Sequence, residues 1–85
     1  MAMTHTLDDQ RQRTVADLRN GQSSVVVGLG RSRGFRSRLL GMGIRPGTEI
    51  KVTEGYGDGP RILEIGRQKI MVGRQMLSHI YIEEQ

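Results

Sequence analysis

Arg31, Arg33, Arg36 and Arg38 crowd the opening of a predicted helix, and Arg45 stands just beyond its end. Each guanidinium offers several N–H donors in a fixed planar fork and keeps its charge at physiological pH, so a group of them suits an anionic surface. Cations at a helix N-terminus oppose its dipole, at a cost of about a few tenths of a kcal/mol each on a surface. Local helix stability therefore does not explain the arrangement. Three readings remain: a solvated arginine-rich face, an acidic partner surface, or a nucleic-acid backbone. Arg33, Arg36, Arg38 and Arg45 are the residues expected to touch a partner. A nucleic acid is the poorer candidate, because Phe35, Tyr56 and Tyr81 are not interleaved with the arginines as a base-stacking platform and Phe35 is expected inside.

Other chemistries find less support. Glycines between a strand and a helix, as in Gly28-Leu29-Gly30-Arg31-Ser32-Arg33-Gly34, can expose backbone N–H groups to an anion. The spacing is neither G-x-G-x-x-G nor a P-loop with its Lys-Ser/Thr, and no βαβ unit surrounds it. A loop leading into a helix is the reading. His5 lies in the first residues, and His79 alternates with Ile80 and Ile82 as an outward strand position; neither has a second ligand at metal-site spacing. The two histidines, or Glu83-Glu84, could bridge molecules only at high metal concentration, so neither metal nor cofactor is expected. The chain has no cysteine, which excludes disulfides and thiolate nucleophiles. Ser23, Ser24, Ser32, Ser37 and Ser78 have no histidine and carboxylate arranged around them, and Asp8-Asp9 stands outside the periodic part of the chain. The sequence reads as a binding module, not an enzyme.

These residues need a scaffold, and 85 residues allow one small domain. Residues 1–13 are polar and without apolar periodicity, so a flexible tail followed by a domain over 14–85 is expected. The net charge is +4, and eleven of the thirteen basic residues are arginine. The first residues lack the basic start and apolar run of a signal peptide, and no run reaches membrane length. A cytoplasmic protein without direct membrane insertion is the expectation.

Thr14-Val15-Ala16-Asp17 fits a capping box, with Val15 and Leu18 turned inward and Gly21 as a stop. Ser23 to Leu29 is β-branched and apolar, with Val25, Val27 and Leu29 on one face at period two. Phe35, Leu39 and Met42 form a helical stripe with Leu40 at its edge. Arg38 to Thr48 is dense punctuation: Gly43 suits the left-handed residue that closes the helix, Ile44 folds back on Leu39, and Pro46-Gly47 is a type II turn signature. An alternating strand follows to Glu54, then an exposed loop through Gly55-Tyr56-Gly57-Asp58-Gly59-Pro60. Residues 61–65 and 69–72 flank Gly66-Arg67-Gln68 as a hairpin, with Leu63, Ile65, Ile70 and Val72 inward. A helical turn over 73–78 and a closing strand over 79–83 complete five strands with one real helix between the first and second. That count favours a mostly β, small closed or nearly closed barrel.

The chain resembles the FeoA family, whose domain also ends many DtxR-type repressors. Leu18-Arg19-Asn20-Gly21-Gln22, Val26-Val27-Gly28-Leu29, Leu39-Leu40-Gly41-Met42-Gly43-Ile44-Arg45-Pro46-Gly47 and Gly59-Pro60 carry the resemblance, which spans roughly Thr14 to Glu83. It implies an SH3-like five-stranded barrel, in which Leu39, Gly43, Ile44, Pro46 and Gly47 are structural. It also implies a non-catalytic accessory role in ferrous iron uptake, with the cytoplasmic GTPase part of an FeoB-like membrane iron transporter as partner. A nucleic-acid-binding or regulator-modulating SH3-like domain is the alternative.

Overall fold

The computed structural model describes residues 12–30, 32–55 and 59–83. Expectations placed on His5, Asp8, Asp9, Arg31, Tyr56, Gly57, Asp58 and Glu84 lie outside these residues. A 3-10 turn, Val15–Asp17, leads into β1 (Ser23–Leu29), α1 (Arg33–Gly41), β2 (Glu49–Glu54), β3 (Arg61–Ile65), β4 (Gln68–Val72), the single turn α2 (Arg74–Leu77) and β5 (Ile80–Ile82). The strands form one antiparallel sheet in the order β4-β3-β2-β1-β5. β1 pairs with β2 at positions 23–25 and with β5 from position 26 onward, so it turns from one partner to the other. The result is barrel-like and open between β4 and β5.

Local chemistry fixes the entry turn. The Thr14 hydroxyl accepts from the Ala16 N–H at 3.2 Å, and the Asp17 carboxylate accepts from the Thr14 N–H at 2.9 Å. The two bonds form a reciprocal capping box. Val15 and Leu18 are both buried.

The end of α1 is a Schellman motif. Ile44 N–H donates to the Leu39 carbonyl at 2.9 Å and Gly43 N–H to the Leu40 carbonyl at 3.0 Å, with Gly43 at φ +89°. Leu39 and Ile44, the hydrophobic pair this motif brings together, are both fully buried. Next, Thr48 N–H donates to the Arg45 carbonyl at 3.0 Å and Gly47 takes φ +95°, the type II turn expected at Pro46-Gly47. That turn is also stitched to β1, because Gly47 N–H donates to the Val26 carbonyl and Val26 N–H to the Thr48 carbonyl. The β3–β4 hairpin closes over Gly66-Arg67, one residue shorter than the expected Gly66-Arg67-Gln68 loop because Gln68 pairs with Ile65, and Gly66 takes φ +61°. Positive φ at the first turn residue alone is the type II′ form.

Twelve aliphatic side chains form a single core cluster with no buried polar residue among the described residues. Leu63 and Val72 belong to it, and Ile65 and Ile70 pack against it. β1 departs from its sequence pattern. Val26 is the fully buried residue and Val27 is 49% exposed, while Val25 and Leu29 are half-buried. The reason is a register shift between Val26 and Gly28, which breaks strict alternation where β1 passes from β2 to β5.

Candidate functional site

α1 carries the arginines. Ser32 caps it, with its hydroxyl accepting from the Phe35 N–H at 3.4 Å, and its first turn holds no acidic residue. Leu39 is the one fully buried side chain of the helix; Arg33, Arg36, Arg38 and Leu40 are exposed, Leu40 at 44%. Arg45 is exposed in the following turn. Among the described residues no carboxylate pairs with any of these four arginines. Their bonds are to backbone or hydroxyl: the Arg36 Nη2 donates to the Gly30 carbonyl at 3.3 Å, and the Arg45 N–H to the Thr48 hydroxyl at 3.3 Å.

Helix winding sorts the arginines into two groups. Arg33 and Arg36 are neighbours at i, i+3, and Leu40 follows Arg36 at i+4, so cation and exposed leucine share a flank. At about 100° per residue, Arg38 lies roughly 140° from Arg33 and roughly 160° from Arg36, across the buried stripe or the outer face. Arg45 belongs to the turn, not the helix. The four therefore lie on two flanks of α1 and in the turn that follows it. Leu40, at the edge of the apolar stripe, stands at i+4 from Arg36, a spacing that is plain in the sequence.

The approach to α1 is held by His79. In contrast to the outward strand position expected for it, His79 sits at the junction of α2 and β5 and is half-buried. Its ring lies 4.8 Å from that of Phe35, centroid to centroid. Its carbonyl accepts from the Gly30 N–H at 2.7 Å. β5 begins one residue later than alternation suggests, because the helical turn before it runs through Ser78 as its C-cap. Gly30 has no room for a side chain: a Cβ there would lie 2.1 Å from His79 Nδ1 and 2.9 Å from His79 Cβ. Gly30→Ala is therefore expected to push the imidazole off Phe35 at a cost of about 1–2 kcal/mol. Loss of the ring-current shifts between Phe35 and His79 in NMR spectra would report it.

Elsewhere, an open polar groove of about 430 Å³ crosses the outer face of β1, β2 and β3, lined by Gly21, Ser23, Glu49, Lys51, Glu64 and Gly66. Lys51 stands in register with Ser23 on one side and Glu64 on the other. Among the described residues no three His, Cys, Asp or Glu side chains converge on a common point. Phe35 is half-buried with its ring tilted against that of His79, and Tyr81 is half-buried on β5.

Comparison with known proteins places this geometry. A family model described as the FeoA domain matches residues 13–84. The chain superposes on the crystal structure of an iron uptake regulatory protein, FeoA, with TM-score 0.77 and 24% identity, covering 82% of this chain and 93% of that one. FeoA from Stenotrophomonas maltophilia, crystallised with zinc and described as a prokaryotic SH3 domain protein, matches with TM-score 0.74 and 17% identity over 84% of this chain and 89% of that one. A manganese-dependent transcriptional repressor matches with TM-score 0.78 and 14% identity; 88% of this chain corresponds to 42% of the repressor. At these identities the likeness is one of fold. No curated protein matches the chain in sequence.

Proposed function

This chain belongs to the FeoA domain family, and on that premise we propose that it is a non-catalytic accessory protein of ferrous iron transport, working in the cytoplasm against the GTPase part of an FeoB-like transporter. The observation that carries the contact is the basic region on and after α1. Arg33, Arg36, Arg38 and Arg45 are exposed and without carboxylate partners among the described residues. An acidic partner surface would supply the missing counter-charges, steer encounter and fix orientation. The working unit in this reading is the domain over residues 14–85, with Gln12 and Arg13 bonded along its β5 edge; it docks on the transporter and does not enter the bilayer. Among the described residues no helix is long and apolar enough to cross a membrane.

The test is charge reversal. The double variant Arg36→Glu, Arg38→Glu changes two exposed side chains, so the unfolding free energy should stay within about 0.5 kcal/mol of the parent. Association with the isolated cytoplasmic part of the transporter should fall by at least about tenfold and lose much of its dependence on ionic strength. Co-purification at the parent level would remove this surface from the function while leaving the family intact. Comparing Arg33→Glu, Arg36→Glu with Arg38→Glu, Arg45→Glu then assigns the contact to one flank or to both.

A further inference from the structure

The two edges of the sheet are treated differently by the chain. Along β5, Ile82 N–H donates to the Arg13 carbonyl at 3.0 Å, the Gln12 side chain donates to the Ile82 carbonyl at 3.1 Å, and Thr14 bridges Tyr81. That edge is closed by residues 12–14. The β4 edge has no such cover among the described residues.

Hairpin geometry says which groups β4 leaves open. The two-residue turn makes Ile65 and Gln68 a mutually bonded pair, and bonded pairs then recur at Leu63 with Ile70 and Arg61 with Val72. Lys69 and Met71, which face Glu64 and Ile62 across non-bonded positions, therefore point their N–H and C=O groups away from the sheet. Both side chains are exposed, Met71 at 66%. An open edge carrying an exposed apolar side chain is a template for another strand, and a single lysine is a slight defence.

Charge specifies the occupant. From Ile65 through Ile82 the chain contains no aspartate or glutamate, while Arg67 and Lys69 lie at one end of β4 and Met71 at the other. A second copy paired along this edge would bring two lysines and two arginines to one seam against only the two Glu64 carboxylates that stand behind the lysines on β3, leaving a net positive seam. We propose that the β4 edge is a docking site for an extended acidic segment of a partner protein, added antiparallel as a sixth strand. Its acidic residues would face Lys69 and Arg67, and an apolar residue would face Met71. Main-chain bonds supply affinity in such an arrangement, and alternate side chains supply specificity. The site is separate from the α1 surface, and its test does not depend on the transporter.

The probe is the capped hexapeptide Thr-Val-Thr-Glu-Thr-Glu, whose antiparallel register sets Val against Met71 and Glu against Lys69 and Arg67. On its addition to the full chain, the amide protons of Lys69 and Met71 should slow in hydrogen exchange by at least about tenfold, while those of α1 stay unchanged. Met71→Pro should abolish the effect without unfolding the domain, because it deletes an N–H that makes no ladder bond. Lys69→Glu should switch preference to Thr-Val-Thr-Lys-Thr-Lys. Equal protection of the parent chain by both peptides would overturn the charge assignment, and no protection by either would overturn the site. Protection that appears without peptide and vanishes on dilution would replace the partner segment with a second copy.

Discussion

Leu39→Ala is expected to remove about 3 kcal/mol from a domain whose size allows only about 5 kcal/mol in all. Leu39 is fully buried and is the only residue of α1 that is. Its carbonyl accepts from the Met42 N–H at 3.1 Å and the Ile44 N–H at 2.9 Å, bonds that alanine keeps. The loss therefore measures the side chain: its transfer from water, and the cavity left beneath a helix held to the sheet at one deep point. Alanine's better helix propensity returns only a few tenths of a kcal/mol. Urea unfolding followed by circular dichroism should show the midpoint falling by more than half. Leu40→Ala, one position along and 44% exposed, should shift the same curve by less than about 0.5 kcal/mol. A cost below about 1 kcal/mol for Leu39→Ala would mean that the helix is anchored elsewhere.

How much of this fold is legible in the chain depends on the range over which its causes act. The end of α1 is written within six residues. Gly43 can take φ +89° without a Cβ penalty, and Ile44 returns its N–H to Leu39. Pro46-Gly47 and Gly66-Arg67 are equally local, as is the Thr14 to Asp17 capping box. β1 is another matter. Its inward residue is Val26, because the strand serves β2 with one half and β5 with the other and a bulge reconciles them. Period-two counting along seven residues contains no information about a change of partner. His79 fails for the same reason: its surroundings are Phe35 and Gly30, more than forty positions earlier. The arginines show a third case. Their number is plain in the sequence, yet their division into flanks requires the helix boundaries and its winding.

Arg61 shows what non-local bonding adds, and it leads to the second large effect, at Gly55. The Arg61 guanidinium donates to the Leu18 carbonyl, and its Nη2 donates to Asn20 Oδ1 at 2.9 Å. The Asn20 side chain in turn donates to the Gly55 carbonyl at 3.0 Å. The residues after the entry turn are thereby tied to the base of the connection between β2 and β3. Gly55 closes that arrangement with φ +125°, a conformation that only glycine enters readily. A Cβ there would lie 2.9 Å from Arg61 Cα and 2.9 Å from the Pro60 carbonyl oxygen. Both are backbone atoms, so the obstruction cannot be relieved by turning a side chain.

Gly55→Ala therefore meets dihedral strain and a steric block together, and about 3 kcal/mol of destabilisation is expected. Gly43→Ala isolates the first term. Gly43 also has positive φ, +89°, but nothing lies within 4 Å of the added carbon, and about 1 kcal/mol is expected there. Chemical denaturation of the two variants side by side gives the comparison, and equal losses would show that the space around Gly55 yields. The Gly55 variant should have a local signature as well. Gly21 N–H donates to the Val52 carbonyl at 2.6 Å, just beside the Asn20 link. If the block displaces Asn20 and Arg61, this amide should lose hydrogen-exchange protection first, ahead of the β3–β4 hairpin. Uniform loss across the sheet would instead mean that Gly55 acts on the whole fold and not through the tie between Asn20 and Arg61.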